Sequence, residues 1–159
     1  MDRELLLADL NGYLRAYAEW NMPASDLTHT FSLCKREDID ALDEKSIRRF
    51  YADIAEVPAI AVNPDWKTVV VETARRWMTE GWTSAQLAGK CVGTGDGRHA
   101  FEETLVKAIQ SIVAPAEVVT AAYGCQADKK YAWYAAAWDD LWLGNARGEK
   151  YLLHFSVTD

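Results

Sequence analysis

Apolar residues recur with a helical period through the first two-thirds of the chain and with a period of two near residue 150. In residues 3–20, Leu6, Leu10, Tyr13, Leu14 and Tyr17 share one helical face. Pro23 disfavours helix at Met22 and ends that segment. Leu27 to Cys34 alternates weakly, as a short strand would. Ile47, Phe50, Tyr51 and Ile54 predict a second helix within 38–56, closed by Pro58. Asn63-Pro64 predicts the start of a third, with Trp66, Val69, Val70, Thr73 and Trp77 as its apolar stripe and Gly81 just past its end. Thr83-Ser84-Ala85-Gln86 fits a capping box for a short fourth helix. Asp96 or Gly97 caps a fifth, which turns Phe101, Leu105, Ala108, Ile109 and Ile112 inward and is followed by Pro115.

The character changes at residue 116. Glu117 to Tyr123 is rich in β-branched residues. From Glu149 to Val157 the chain alternates: Tyr151, Leu153, Phe155 and Val157 share one face, and Lys150, Leu152, His154 and Ser156 the other. Gly144 to Gly148 is turn material. Residues 130–143 fit either a helix, with Tyr131, Tyr134, Ala135, Trp138, Leu141 and Trp142 as a stripe, or a strand. The strand is favoured, because the turn after it feeds a clean strand and a lone pair is marginal.

These elements predict an α+β fold: about five helices in the N-terminal two-thirds, packed on one face of a C-terminal antiparallel sheet of three to four strands. One domain over 1–159 is expected, mainly helical over 1–115 and sheet over 116–159; a chain of this length buries a core without disulfides or metal.

Charge adds a bias. The net charge is −7, and residues 1–56 hold twelve acids against seven bases. Without a basic stripe, direct nucleic-acid binding is disfavoured, and a basic protein partner is expected instead. No apolar run reaches the roughly 18 residues of a membrane span, and the first residues lack the pattern of a signal peptide. Cys34, Cys91 and Cys125 are odd in number and widely spaced, which suits a reducing cytoplasm.

Three segments are candidate sites. Tryptophan and tyrosine number seven each, and Trp138-Asp139-Asp140-Leu141-Trp142 is the densest part of that content. In a strand, Trp138, Asp140 and Trp142 point the same way. Exposed, they would make a pocket for Arg or Lys by ion pairing and cation–π contact, and imply a bound partner or a homodimer. Buried, Asp140 would need an internal partner. The second segment is acidic: Glu37, Asp38, Asp40, Asp43 and Glu44 would steer a basic partner, or serve as a solvated loop and helix cap. The third is the 93–99 glycine loop, where Gly95, Gly97 and Arg98 could hold an anion at a helix start. It lacks the P-loop and dinucleotide spacings.

No metal-ligand spacing and no nucleophile motif is visible, and no cofactor is expected. Glu102-Glu103 reads as first-turn acids of the fifth helix, and His154 as a rim residue. The function expected from this pattern is that of an acidic, non-catalytic binding protein that neutralises a basic protein or a basic nucleic-acid-binding groove. Immunity proteins against toxins and phage anti-defence or anti-CRISPR inhibitors are of this type. The alternatives are an adaptor subunit of a larger assembly and a small enzyme using the 93–99 loop.

Overall fold

The structure, a computed structural model, describes residues 2–21, 28–52, 59–78, 96–123 and 137–158. Within them lie four helices, α1 (Arg3–Asn21), α2 (Glu44–Tyr51), α3 (Trp66–Met78) and α4 (Asp96–Ile112). Five strands, β1 (Thr28–Arg36), β2 (Ala59–Asn63), β3 (Pro115–Tyr123), β4 (Ala137–Asn145) and β5 (Lys150–Thr158), form one sheet in the order β1-β5-β4-β3-β2. Every neighbouring pair is antiparallel.

The α+β class agrees with the sequence pattern, but the division into a helical part and a sheet part does not. The sheet has five strands, and two of them, β1 and β2, come from the N-terminal half, interleaved with helices. Both are edge strands, and among the described residues each has its strand partner in the C-terminal meander. The expected short fourth helix, with its capping box at 83–86, lies outside the described residues, as do Tyr131 and Tyr134; the described part of the ambiguous segment, 137–143, is strand.

The helices also do not share one face. α1, α3 and α4 cover one side, where Leu10, Leu14 and Ala18, Trp66, Val70 and Ala74, and Leu105, Ile109 and Ile112 meet Phe31, Leu33, Leu141, Leu143, Leu153 and Phe155. Apart from Ala18 and Ala74 the helical residues belong to the stripes that the periodicity marked out, and Leu153 and Phe155 to the odd-numbered face of the last strand. α2 lies on the other side. It belongs to the connection from β1 to β2, which sit at opposite edges, so this segment crosses the sheet. Ile47 and Tyr51 of α2, with Ile39, pack there on Val119, Ala121, Trp138, Trp142 and Leu152.

Local chemistry sets the element ends. α3 begins two residues later than expected: the Asn63 side chain accepts from the Asp65 backbone N–H at 2.8 Å, and Asp65 accepts from the Thr68 N–H and hydroxyl at 3.3 and 2.7 Å. Asp65 is therefore the cap. Glu102 lies beyond the first turn of α4 and is buried; it takes two hydrogen bonds from Arg75 of α3, at 3.0 and 2.9 Å. Gly148 adopts φ 77° in the β4–β5 turn, where only glycine is unstrained. The free edge of β1 is blunted by Asn11 of α1, whose amide exchanges two 2.8 Å hydrogen bonds with the Leu33 backbone.

Candidate functional site

The acidic run lies on the outer side of the α2 connection, around a concavity of about 870 Å³ whose lining includes Arg36, Asp38, Ile39, Asp40, Asp43, Lys45, Arg49 and Phe50. Four of its five carboxylates are engaged by their own neighbours. Asp38 takes a bidentate pair from Arg36, and that pairing lowers its carboxyl below the ordinary value and raises the Arg36 guanidinium. Asp43 caps α2, accepting the Ser46 backbone N–H at 2.8 Å. Glu44 pairs with Arg48 at 2.9 Å, one turn on, and Glu37 with Lys35 at 3.7 Å. Asp40 alone of the five has no such partner among the described residues. Over residues 35–49 five cations balance the five carboxylates, so this surface is mixed in sign rather than acidic. The N-terminal acid excess resides elsewhere, in Asp2, α1 and residues 26, 53 and 56.

Beneath α2 the structure takes the buried alternative for the tryptophan segment. Trp138, Asp140 and Trp142 are 1%, 0% and 0% exposed. Alternation on β4 puts all three toward α2, where Trp138 stacks on Tyr51 with ring centroids 4.9 Å apart. The cation pocket for a partner's Arg or Lys is not formed by this face. The partner of Asp140 is internal: one carboxylate oxygen accepts the Tyr51 hydroxyl, and the other lies 2.5 Å from Nδ1 of His154. Tyr51 in turn accepts from the Trp142 indole N–H at 3.1 Å. Nε2 of His154 is 2.9 Å from Oγ of Ser156. Four side chains on three elements are thus joined in one chain, Tyr51–Asp140–His154–Ser156, on a face otherwise lined by aromatic and aliphatic groups. His154 is not the rim residue that alternation suggested; its side chain is 17% exposed and bonded at both nitrogens.

Asp139 goes the opposite way. It accepts the Trp77 indole N–H at 2.6 Å and pairs with Arg76 at 2.9 Å, both on α3. Consecutive acids of β4 therefore tether helices on opposite sides of the sheet.

The glycine loop enters only at its edge. Gly95 lies outside the described residues; Gly97 and Arg98 lie in the first turn of α4, their surroundings likewise undescribed. Among the described residues no group of three or more His, Cys, Asp or Glu is placed to hold a metal, and no helix is long and apolar enough to cross a membrane.

The sequence held one signal for the buried chain. His154 and Ser156 share a strand face by alternation, and Asp140 and the tryptophans share another. What joins them is the register, which pairs Asp140 with His154 across β4 and β5. Comparison with protein-family models, with curated proteins and with solved structures gave no match.

Proposed function

We propose that the chain is a binding protein that docks a basic protein partner on the concavity over α2 and occludes it, as immunity and anti-defence inhibitors do. The observation that carries this reading is Asp40: an exposed carboxylate at the concavity, without an ion pair among the described residues, while its four acidic neighbours are engaged. Its floor supplies apolar contact from half-buried Phe50 and buried Ile39, and Arg36 lies 5.0 Å over the Phe50 ring. A net charge of −7 favours approach of a cationic protein from a distance. Close in, Lys45 and Arg49 ask for an acceptor on the partner as well, so the complementary surface carries both signs. Trp138, Asp140 and Trp142 have no place in this contact, since they are core.

The test is capture of partners with tagged wild-type and Asp40→Asn protein at low and moderate salt. The expected result is one dominant basic protein, bound stoichiometrically, inhibited in its own assay, lost as salt rises and weakened about tenfold by Asp40→Asn. Asp43→Asn, which keeps the cap, should bind as wild type. A partner that stays active when bound would make the chain an adaptor instead. Binding unaffected by Asp40→Asn would remove the concavity from the contact.

A further inference from the structure

We infer that Asp140, His154 and Ser156 form a hydrolytic site in which Ser156 Oγ is the nucleophile toward activated carboxylic esters. This chemical capacity is separate from partner binding over α2 and does not rest on it.

The connectivity carries the inference. A serine is a poor nucleophile until a base takes its proton, and the base works when its other nitrogen is held by a carboxylate. Here Asp140 is 2.5 Å from Nδ1 and Ser156 Oγ is 2.9 Å from Nε2, so carboxylate and hydroxyl meet opposite nitrogens of one imidazole. An ionised Asp140 can only accept, which places the proton on Nδ1 and leaves Nε2 to accept the Ser156 hydroxyl. Asp140 is fixed in its turn: its second oxygen takes the Tyr51 hydroxyl, and Tyr51 is held by the Trp142 indole and by stacking on Trp138. Asp140 is thus a positioning residue.

Access is greatest at the imidazole. Asp140 is fully buried, whereas the His154 side chain keeps 17% exposure and Ser156 keeps 4%. Both face the β1 side of the sheet, where Thr30 stands across the ladder from Ser156 and Ser32 from His154. Thr30 is exposed; the concavity of about 450 Å³ along the outer edge of β1 takes in Thr30 and Ser32 but otherwise belongs to the α1 side, and neither His154 nor Ser156 lines it. The exposed part of the His154 side chain is the point at which a small acyl group would meet the site. A purely structural role would be met by apolar residues on this face, at lower desolvation cost than a buried carboxylate.

The reaction balances within these groups and water. Ser156 Oγ forms a bond to the acyl carbon as its proton passes to Nε2, and the carbonyl π electrons move to oxygen. Their return breaks the ester C–O bond, and the leaving alkoxide takes the proton from Nε2. Water then attacks the acyl carbon, giving a proton to Nε2 as the carbonyl π electrons move to oxygen; their return breaks the acyl C–Oγ bond, Oγ takes the proton from Nε2, and the carboxylic acid departs.

The experiment uses a fluorophosphonate probe, which forms a P–O bond to an activated serine and releases fluoride, with p-nitrophenyl acetate turnover measured in parallel. The expected result is one adduct per chain, mapped to Ser156 by peptide mass spectrometry, absent in Ser156→Ala and slowed at least tenfold in His154→Gln. Turnover should fall with the adduct. Folded wild-type protein that stays unlabelled while a control serine esterase is fully labelled would overturn the inference, as would an adduct mapped to another residue. Because the wild-type map decides by itself, the result stands even if a variant fails to fold.

Discussion

The two sides of the sheet are closed by different means. On one, three helices bring Leu, Ile, Val and Ala stripes onto leucines and phenylalanines, and polar contacts such as Arg75–Glu102 sit at the rim. On the other, eight residues of helix cover two tryptophans, and the Tyr51–Asp140–His154–Ser156 chain runs through the contact. Three long helices have area enough to be held by burial alone. A helix as short as α2 has little intrinsic stability. Its cap at Asp43, its aromatic stacking and its bond to Asp140 hold it in one orientation, through directional contacts rather than area.

That contrast is broken most forcefully by truncating the aromatic side. Trp142→Ala should cost about 3–5 kcal/mol, measured by urea denaturation, as much as the roughly 2–5 kcal/mol expected for Leu153→Ala on the three-helix side. A loss below 1 kcal/mol at Trp142 would mean that α2 adds little to the fold. A finer cut is Tyr51→Phe, which keeps the ring and its stacking but leaves a carboxylate oxygen of Asp140 without its donor. Loss of such a buried bond costs about 1–3 kcal/mol. Trp77→Phe, which removes the indole donor to partly exposed Asp139, should cost less, and equal losses would show that the polar chain does not distinguish the two sides.

The smallest effect is in pH dependence. Glu149 accepts from Asn145 at 2.9 Å and pairs with Arg3 at 3.0 Å, and these contacts, the Asn145 bond foremost, hold its carboxyl below the ordinary value. A carboxyl depressed by folding stabilises the native state above its unfolded pKa, and that contribution is lost as pH falls through the folded value. The melting temperature should therefore fall less steeply on the acid side in Glu149→Gln than in wild type; parallel acid limbs would contradict the assignment.

Elements defined by local periodicity were legible in the sequence. The stripes of α1, α3 and α4 and the alternation of β5 each repeat within a few residues, and burial follows them. β2 was not legible: Ala59–Asn63 is five residues long, and its one ladder among the described residues is with β3, far along the chain. The side on which α2 packs was hidden too, because it depends on β1 and β2 taking opposite edges. The acidic run was visible, and so were Lys35, Arg36, Lys45, Arg48 and Arg49 beside it; their pairing shows how little an acid count says without its neighbours. The buried chain needed one number that composition does not hold. The turn that sets Gly144 opposite Lys150 also sets Asp140 opposite His154, four residues back on each arm.

The placement of β1 bears on how the chain is made. A ribosome that has completed residue 136 has synthesised β1, β2 and β3, and of these only β2 and β3 are neighbours in the sheet. β1 waits for β5; Cys34 meets its ladder partner Leu152 across 118 residues of sequence. Pairing at that separation is slow, and apolar surface is exposed meanwhile. Phe31 and Leu33, with the stripe of α1 that packs on them, are thus synthesised early and buried last. During that interval the apolar residues of β1 stay without their ladder, until residues 150–158 have been made.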